Sequence, residues 1–208
     1  MLKRVRIFMR KCIVASLGAF VLVGGVATAH AAGVHVAPDG GTVTCHVSPE
    51  QWKALTDRGV GFRAMAPGVQ LTDRAQPGTT LTDPGGRLDA VGHGQITFRG
   101  GFRLESKATG DFVEVTEPRT ALPAGNPEFQ VRSSFDPVGT RMEILAYTVD
   151  PTALHLSLLG LTLGIDATDI AVNPTFAAVL TRTFGDGASE TGMSFAVCSA
   201  ALTVRLTA

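Results

Sequence analysis

The sequence predicts a mostly β domain, an antiparallel β-sandwich or distorted barrel with two short α-helices. Three observations lead there. Apolar and polar residues alternate with period two over most of the chain beyond residue 33, the signature of half-buried strands. Gly, Pro and Asp cluster between those runs at "PDGG", "DPGG", "PAGNP", "DPVG" and "GDG", as the frequent turns of an antiparallel sheet require. Two stretches, and only two, carry helix-start chemistry.

The chain opens with five cations, Lys3, Arg4, Arg6, Arg10 and Lys11, and no acidic residue. An apolar run to about Ala29 follows, with small-x-small sites at Ala27-Thr28-Ala29 and Ala29-His30-Ala31. That order predicts a secretory signal peptide over residues 1–32, cut near Ala31 or Ala32. An uncleaved anchor is the competing reading, and Gly24 and Gly25 beside a good cleavage site favour cleavage. Residues 33–208 then form one β-rich domain, long enough to bury a core, with no later run able to span a membrane. The leader removes 5 of 18 basic residues and none of 18 acidic ones, leaving 13 against 18, a net charge of −5. Nucleic acid, which needs a basic face, is excluded as a partner on that balance.

The mature chain keeps two cysteines, Cys45 and Cys198. An even pair in an exported protein predicts a disulfide, and two lone thiols lack the clustered ligands of a zinc site. In "GTVTCHV" Cys45 shares a strand face with Val43 and Val47, so it points inward with them.

The first helix is expected in "SPEQWKALTDRG", with Ser48 as cap, Pro49 at the first helical position, Gln51 completing a capping box and Gly59 as stop. "NPTFAAVLTRTFG" repeats the device with Asn173, Pro174 and Gly185. A valine precedes each cap, Val47 and Val172, so each strand hands directly into a helix.

Parity organises the rest. In "GHGQITFRGGFRLES" Ile96, Phe98, Phe102 and Leu104 are all even, while Arg99, Arg103 and Glu105 are odd. A two-residue Gly-Gly hairpin would pair Phe98 with Arg103 and bury charge, so register forbids it. A continuous strand bending at Gly100-Gly101 is favoured over a three-residue turn, and His93 falls with the solvated side chains. In "TALHLSLLGLTLGI" the leucines change parity near Leu158-Leu159-Gly160, which predicts a bulge. "MEILAYTV" is apolar on both parities and reads as one central strand. Trp52 and Tyr147, single in the chain, both read as core.

Catalytic signatures are missing: there is no Gly-x-Ser-x-Gly elbow, P-loop, dinucleotide fingerprint or His-Glu-x-x-His. Ser133-Ser134 lies near Asp136 without a nearby histidine, and His35, His46, His93 and His155 are scattered singly. Asp166, Asp169, Asp186 and Glu190 do not make a calcium loop. No cofactor, no metal and no catalytic residue are therefore expected, and ligand residues stay unassigned.

The strand Gly94-Gln95-Ile96 through Gly100-Gly101 to Leu104, followed late in the chain by a strand and Ala/Leu helix from Ile170 to Gly185, resembles the uncharacterised β-rich domains that high-GC bacteria export. A more distant similarity is to the HtaA-type haem-binding domain of bacterial iron uptake. That family holds haem through an early tyrosine motif and a histidine partner, and no tyrosine occurs between Val34 and Phe62. The resemblance implies the fold and transfers no site residue. The expected function is an exported envelope or extracellular protein acting by binding or as structure rather than by catalysis. Its alternatives are a small-ligand carrier, haem included, using a cavity between sheets, and a hydrolase with a spatially assembled site.

Overall fold

A computed structural model describes residues 35–72 and 75–207. The leader expected over residues 1–32 lies outside the described residues. Fourteen strands and two α-helices follow in order: β1 (His35–Val47), α1 (Pro49–Thr56), β2 (Val60–Met65), β3 (Gln70–Leu71), β4 (Gly78–Asp89), β5 (Gly94–Arg99), β6 (Gly101–Ser106), β7 (Phe112–Leu122), β8 (Ala124–Gly125), β9 (Glu128–Ser133), β10 (Asp136–Glu143), β11 (Leu145–Thr148), β12 (Leu154–Ser157), β13 (Thr162–Val172), α2 (Pro174–Phe184) and β14 (Ser194–Thr207). The fold is mostly β, as the period-two pattern requires.

All pairings are antiparallel, in one sheet of order β10-β9-β7-β5-β4-β1-β14-β13-β11-β8. The sheet is not closed into a barrel. Its middle joins the two ends of the domain: β1 and β14 pair from His35 opposite Thr207 to Val47 opposite Ala196, with one irregularity at Pro38/Gly40. Cys45 and Cys198 face each other in that register and are bonded, across a sequence separation of 153.

The double glycine does what parity demanded. β5 and β6 both run along β7, Gly94 opposite Leu122 and Gly101 opposite Thr116. On their other side they part, β5 pairing with β4 and β6 with β2. The break sits at Gly100, with φ +94° there and +153° at Gly101. A Cβ on Gly101 would collide with the Val115 carbonyl oxygen. Only glycine permits this bend, and it keeps Ile96 and Phe98 buried in one apolar cluster and Phe102 and Leu104 in another.

Both helices start where expected. Ser48 Oγ accepts from Gln51 N–H at 3.2 Å, and Asn173 Oδ1 accepts from Phe176 N–H at 2.9 Å. The capping box is not completed, because Gln51 is fully buried. Its amide instead donates to Ala188 O and accepts from Ser189 Oγ, tying α1 to the loop after α2.

Two further expectations are corrected. The leucine parity change at Leu158–Gly160 is a hairpin and not a bulge: β12 turns back onto β13, with Leu154 opposite Ile165 and Leu156 opposite Leu163. A chain reversal swaps the facing parity as an inserted residue would, so the pattern alone does not separate the two. "MEILAYTV" is not one central strand. It divides at the fully buried Ile144, with β10 ending one edge of the sheet and β11 pairing β13 and β8 elsewhere.

Two apolar clusters result. One lies beneath the helices around Leu55, Leu104, Phe176 and Leu180. It contains a run of rings, Phe62–Phe102–Phe195–Phe176, at centroid spacings of 5.6, 5.2 and 5.3 Å. The other gathers Val36, Leu88, Ile96, Leu122, Leu163 and Leu202.

Candidate binding cavity

Where the two clusters meet, the curled sheet lines a partly open cavity of about 130 Å³. Side chains from nearly every long strand reach it. On β7, Thr120 and Leu122 share one parity and point in; Leu145, Tyr147 and Val149 do the same at and beyond β11. On β13 Ile165 and then Thr168 and Ile170 line the wall, although their parities differ. A register shift between Ile165 and Thr168 accounts for it, since one inserted residue returns the next side chain to the same face. The wall is almost wholly apolar, and no charged side chain contributes to it. Both cysteines form part of it, so the bridge fixes β1 to β14 at the cavity itself.

The polar groups at the wall are few. Thr79 Oγ1 donates to Gly101 O at 3.1 Å, and Thr168 Oγ1 to Asp166 O at 3.1 Å. The Thr120 hydroxyl and the Tyr147 phenol share a hydrogen bond at 2.6 Å. Burial pushes the Tyr147 phenol above the ordinary tyrosine range, and the Thr120 bond pulls it back only in part. A phenolate is poorly hydrated there, so the neutral form is favoured.

The remaining candidates lie elsewhere. Ser133 Oγ accepts from Phe135 and Asp136 N–H and builds a turn, and Ser134 Oγ accepts from Phe112 N–H, tying that turn to β7. His155 Nε2 lies 3.2 Å from Asp166 Oδ2, both exposed, beside a surface groove of about 640 Å³ between β12, β13 and β14. The most buried acidic residue is one that pattern reading overlooked. Glu114 sits between Arg103 at 2.7 Å and Arg132 at 3.2 Å, and the β6–β7–β9 registers place all three in one cross-strand row. Burial opposes the Arg103 charge, and its bonds to Glu114 and Glu105 outweigh that, leaving its pKa above the usual value. Arg103 also covers the Phe112 ring at 4.0 Å. Glu114 bonds to both arginines, Arg103 also bonds Glu105 and Arg132 also donates to Pro137 O, which makes the row a brace across three strands. Among the described residues no three His, Cys, Asp or Glu side chains gather as metal ligands, and no helix is long and apolar enough to cross a membrane.

No protein-family model and no curated protein matches the chain. Solved structures from Corynebacterium glutamicum do. The C-terminal domain of HtaA superposes with TM-score 0.56 at 15% identity, covering 80% of this chain and 100% of that one. HtaB, described as a heme binding protein, gives 0.56 at 11% identity, over 84% and 96%. The N-terminal domain of HtaA gives 0.56 at 10% identity, over 80% and 97%. The chain has the HtaA-type fold.

On this HtaA-type frame the interior cavity does not fit haem. Its volume is well below the ~300–1,000 Å³ of pockets that take drug-sized ligands, and a tetrapyrrole is larger than most of those. None of the four described histidines lines it. Burial holds the phenol of the chain's single tyrosine above the ordinary tyrosine range, which disfavours the phenolate that would ligate iron.

Proposed function

We propose that the chain is an exported protein of the cell envelope or extracellular space, relieved of residues 1–32, whose residues 33–208 act by binding rather than by catalysis. The binding site is the interior cavity, and the ligand is a small apolar molecule. The observation that supports this is the uncharged, almost wholly apolar wall where two separate cores meet. A cavity of similar size, ~150 Å³ with a leucine, isoleucine and phenylalanine lining, is known to stay dry and to take benzene or xenon. Export is supported by the basic-apolar-small order of the leader and by the Cys45–Cys198 bridge, which an oxidising compartment maintains.

The test is a titration of the secreted protein with toluene followed by methyl NMR. Saturable shifts at Leu122, Leu145 and Ile165 are expected. Shifts confined to surface methyls, or none, would refute the cavity as the site. Intact mass of the same material checks export, with the leader absent and no alkylatable thiol expected.

A second reading, haem carriage, is favoured by the description of the fold neighbour HtaB. Its place here would be the outer groove, where Asp166 occupies His155 Nε2 and leaves Nδ1, a carboxylate–histidine arrangement that orients metal-binding imidazoles. A shifted Soret band that survives desalting and disappears in His155→Ala is the expected outcome under this reading. An unshifted free-haem spectrum sinks it.

A further inference from the structure

We infer that one end of the sheet rests on a lipid bilayer, entered by the turn between β12 and β13 with Leu159 at its tip. Five of the nine exposed large apolar side chains among the described residues gather there: Val91, Leu158, Leu159, Leu161 and Leu206. The registers bring them together. Ser157 faces Thr162 across the turn, and Thr162 faces Thr203, so β14 carries Leu206 past the turn. Leu206 faces Val36, whose partner on the other side is Leu88, near the end of β4. The turn after β4 holds Val91, and a Cβ on its Gly92 would lie 3.4 Å from Leu154 of β12. Val91 is 63% exposed, Leu206 57% and Leu159 fully. Exposed apolar side chains scattered singly are ordinary, whereas a group at one end marks an interaction site.

Three observations choose lipid over protein. The tip is aliphatic throughout and lacks the aromatic, Met and Arg anchors that protein interfaces concentrate, while leucine and valine are under-represented at their hot spots. No Asp, Glu, Lys or Arg occurs from Pro151 to Ile165, so the tip enters the headgroup–acyl boundary without dehydrating a charge. Two of its backbone groups are already satisfied, Gly160 N–H by Ser157 Oγ and Leu161 O by Val204 N–H. Finally, the chain before β1 joins the domain through His35, at this same end. The apolar run of the expected leader stops at Ala29, six residues earlier, at most about 20 Å away along an extended chain. On the export reading this end is therefore the last to leave the membrane. The adjoining strand ends carry Arg87 and Arg205 against Asp39 and Asp89. These charges balance, so the attraction is apolar and owes nothing to anionic headgroups.

The test is flotation of the secreted protein, of leaderless mass, with phosphatidylcholine vesicles and with vesicles enriched in phosphatidylglycerol, at low and high salt. Reversible association with both is expected, no tighter than the ~10⁴ M⁻¹ of a single acyl chain and unchanged by salt. Leu159→Asp is expected to weaken it ~10-fold or more, the worth of withdrawing one leucine from lipid. Val138→Asp is the control, since Val138 is as exposed but lies near the opposite end of β7, beyond the Ser133–Val113 pairing; it is expected to leave association unchanged. No association of the unaltered protein, full association of Leu159→Asp, or an equal loss in Val138→Asp would overturn the inference. Association confined to phosphatidylglycerol and abolished by salt would overturn it as well. A dimer in the same buffer that Leu159→Asp dissolves would assign the tip to a second copy and overturn the lipid surface. None of these outcomes bears on the cavity as a ligand site.

Discussion

Tyr147 carries the clearest single-residue consequence of this architecture. Its half-buried phenol has a folded pKa raised mainly by burial, so its contribution to stability is complete below the unfolded value and is lost as pH rises. The loss should begin near pH ~10, the ordinary tyrosine value. Because Tyr147 is the only tyrosine, tyrosinate absorbance reports it without interference. Ionisation is expected later in the folded protein than in the same protein in denaturant, and Tyr147→Phe is expected to lose less stability in alkali. Coincident titrations in the two states would contradict the burial. The core position of Tyr147 was legible from Leu145 and Val149 on its own parity. Its partner was not: Thr120 lies 27 positions away, on a strand brought opposite only by the curl of the sheet. Cys45 and Cys198 were legible for a simpler reason, being the two thiols left once the expected leader is set aside.

At the scale of elements, local chemistry was readable wherever it is self-contained. The caps of α1 and α2 need only a side chain three residues away, and both formed. Ser48→Ala and Asn173→Ala are each expected to cost about 1 kcal/mol, measured by denaturant unfolding with unchanged slope. A cost below a few tenths for both would show that the helices are held by packing alone. Patterns that depend on what lies across the sheet were less legible. The parity change at Leu158–Gly160 fits a bulge and a hairpin equally, and the apolar run through Ile144 does not say that its halves pair with different strands. The hairpin turn exposes Leu158, Leu159 and Leu161, and Leu159 is fully exposed. Leu159→Asp is therefore expected to change stability by less than about 0.5 kcal/mol; a larger loss, read in the same denaturant series, would place that turn inside a contact.

The described residues form a sheet whose first and last strands, β1 and β14, pair at its centre, so the fold depends on contacts between residues more than a hundred apart. Joining Cys45 to Cys198 removes that loop entropy from the unfolded chain, worth about 5 kcal/mol on the chain-entropy estimate. The double variant Cys45→Ala/Cys198→Ala is expected to lose most of that, seen as a lower denaturation midpoint, and to bind the cavity ligand less well because the bridge forms part of the wall. Ala200 projects into the same cavity from β14. Ala200→Leu fills the space, so it is expected to abolish toluene binding without unfolding the protein; retained binding would mean that the ligand sits elsewhere. Composition foretold a β-rich body. It did not foretell a void, since period-two alternation says which side chains face inward and nothing of whether they meet.

The central claim is that this apolar interior is a ligand site. Xenon tests it most directly, because it binds by size and polarisability and needs no polar partner. A crystal under xenon pressure is expected to show one strong peak between Leu122, Leu145 and Ile165, and none there in Ala200→Leu. An interior free of xenon, or occupied by ordered water, would contradict the account.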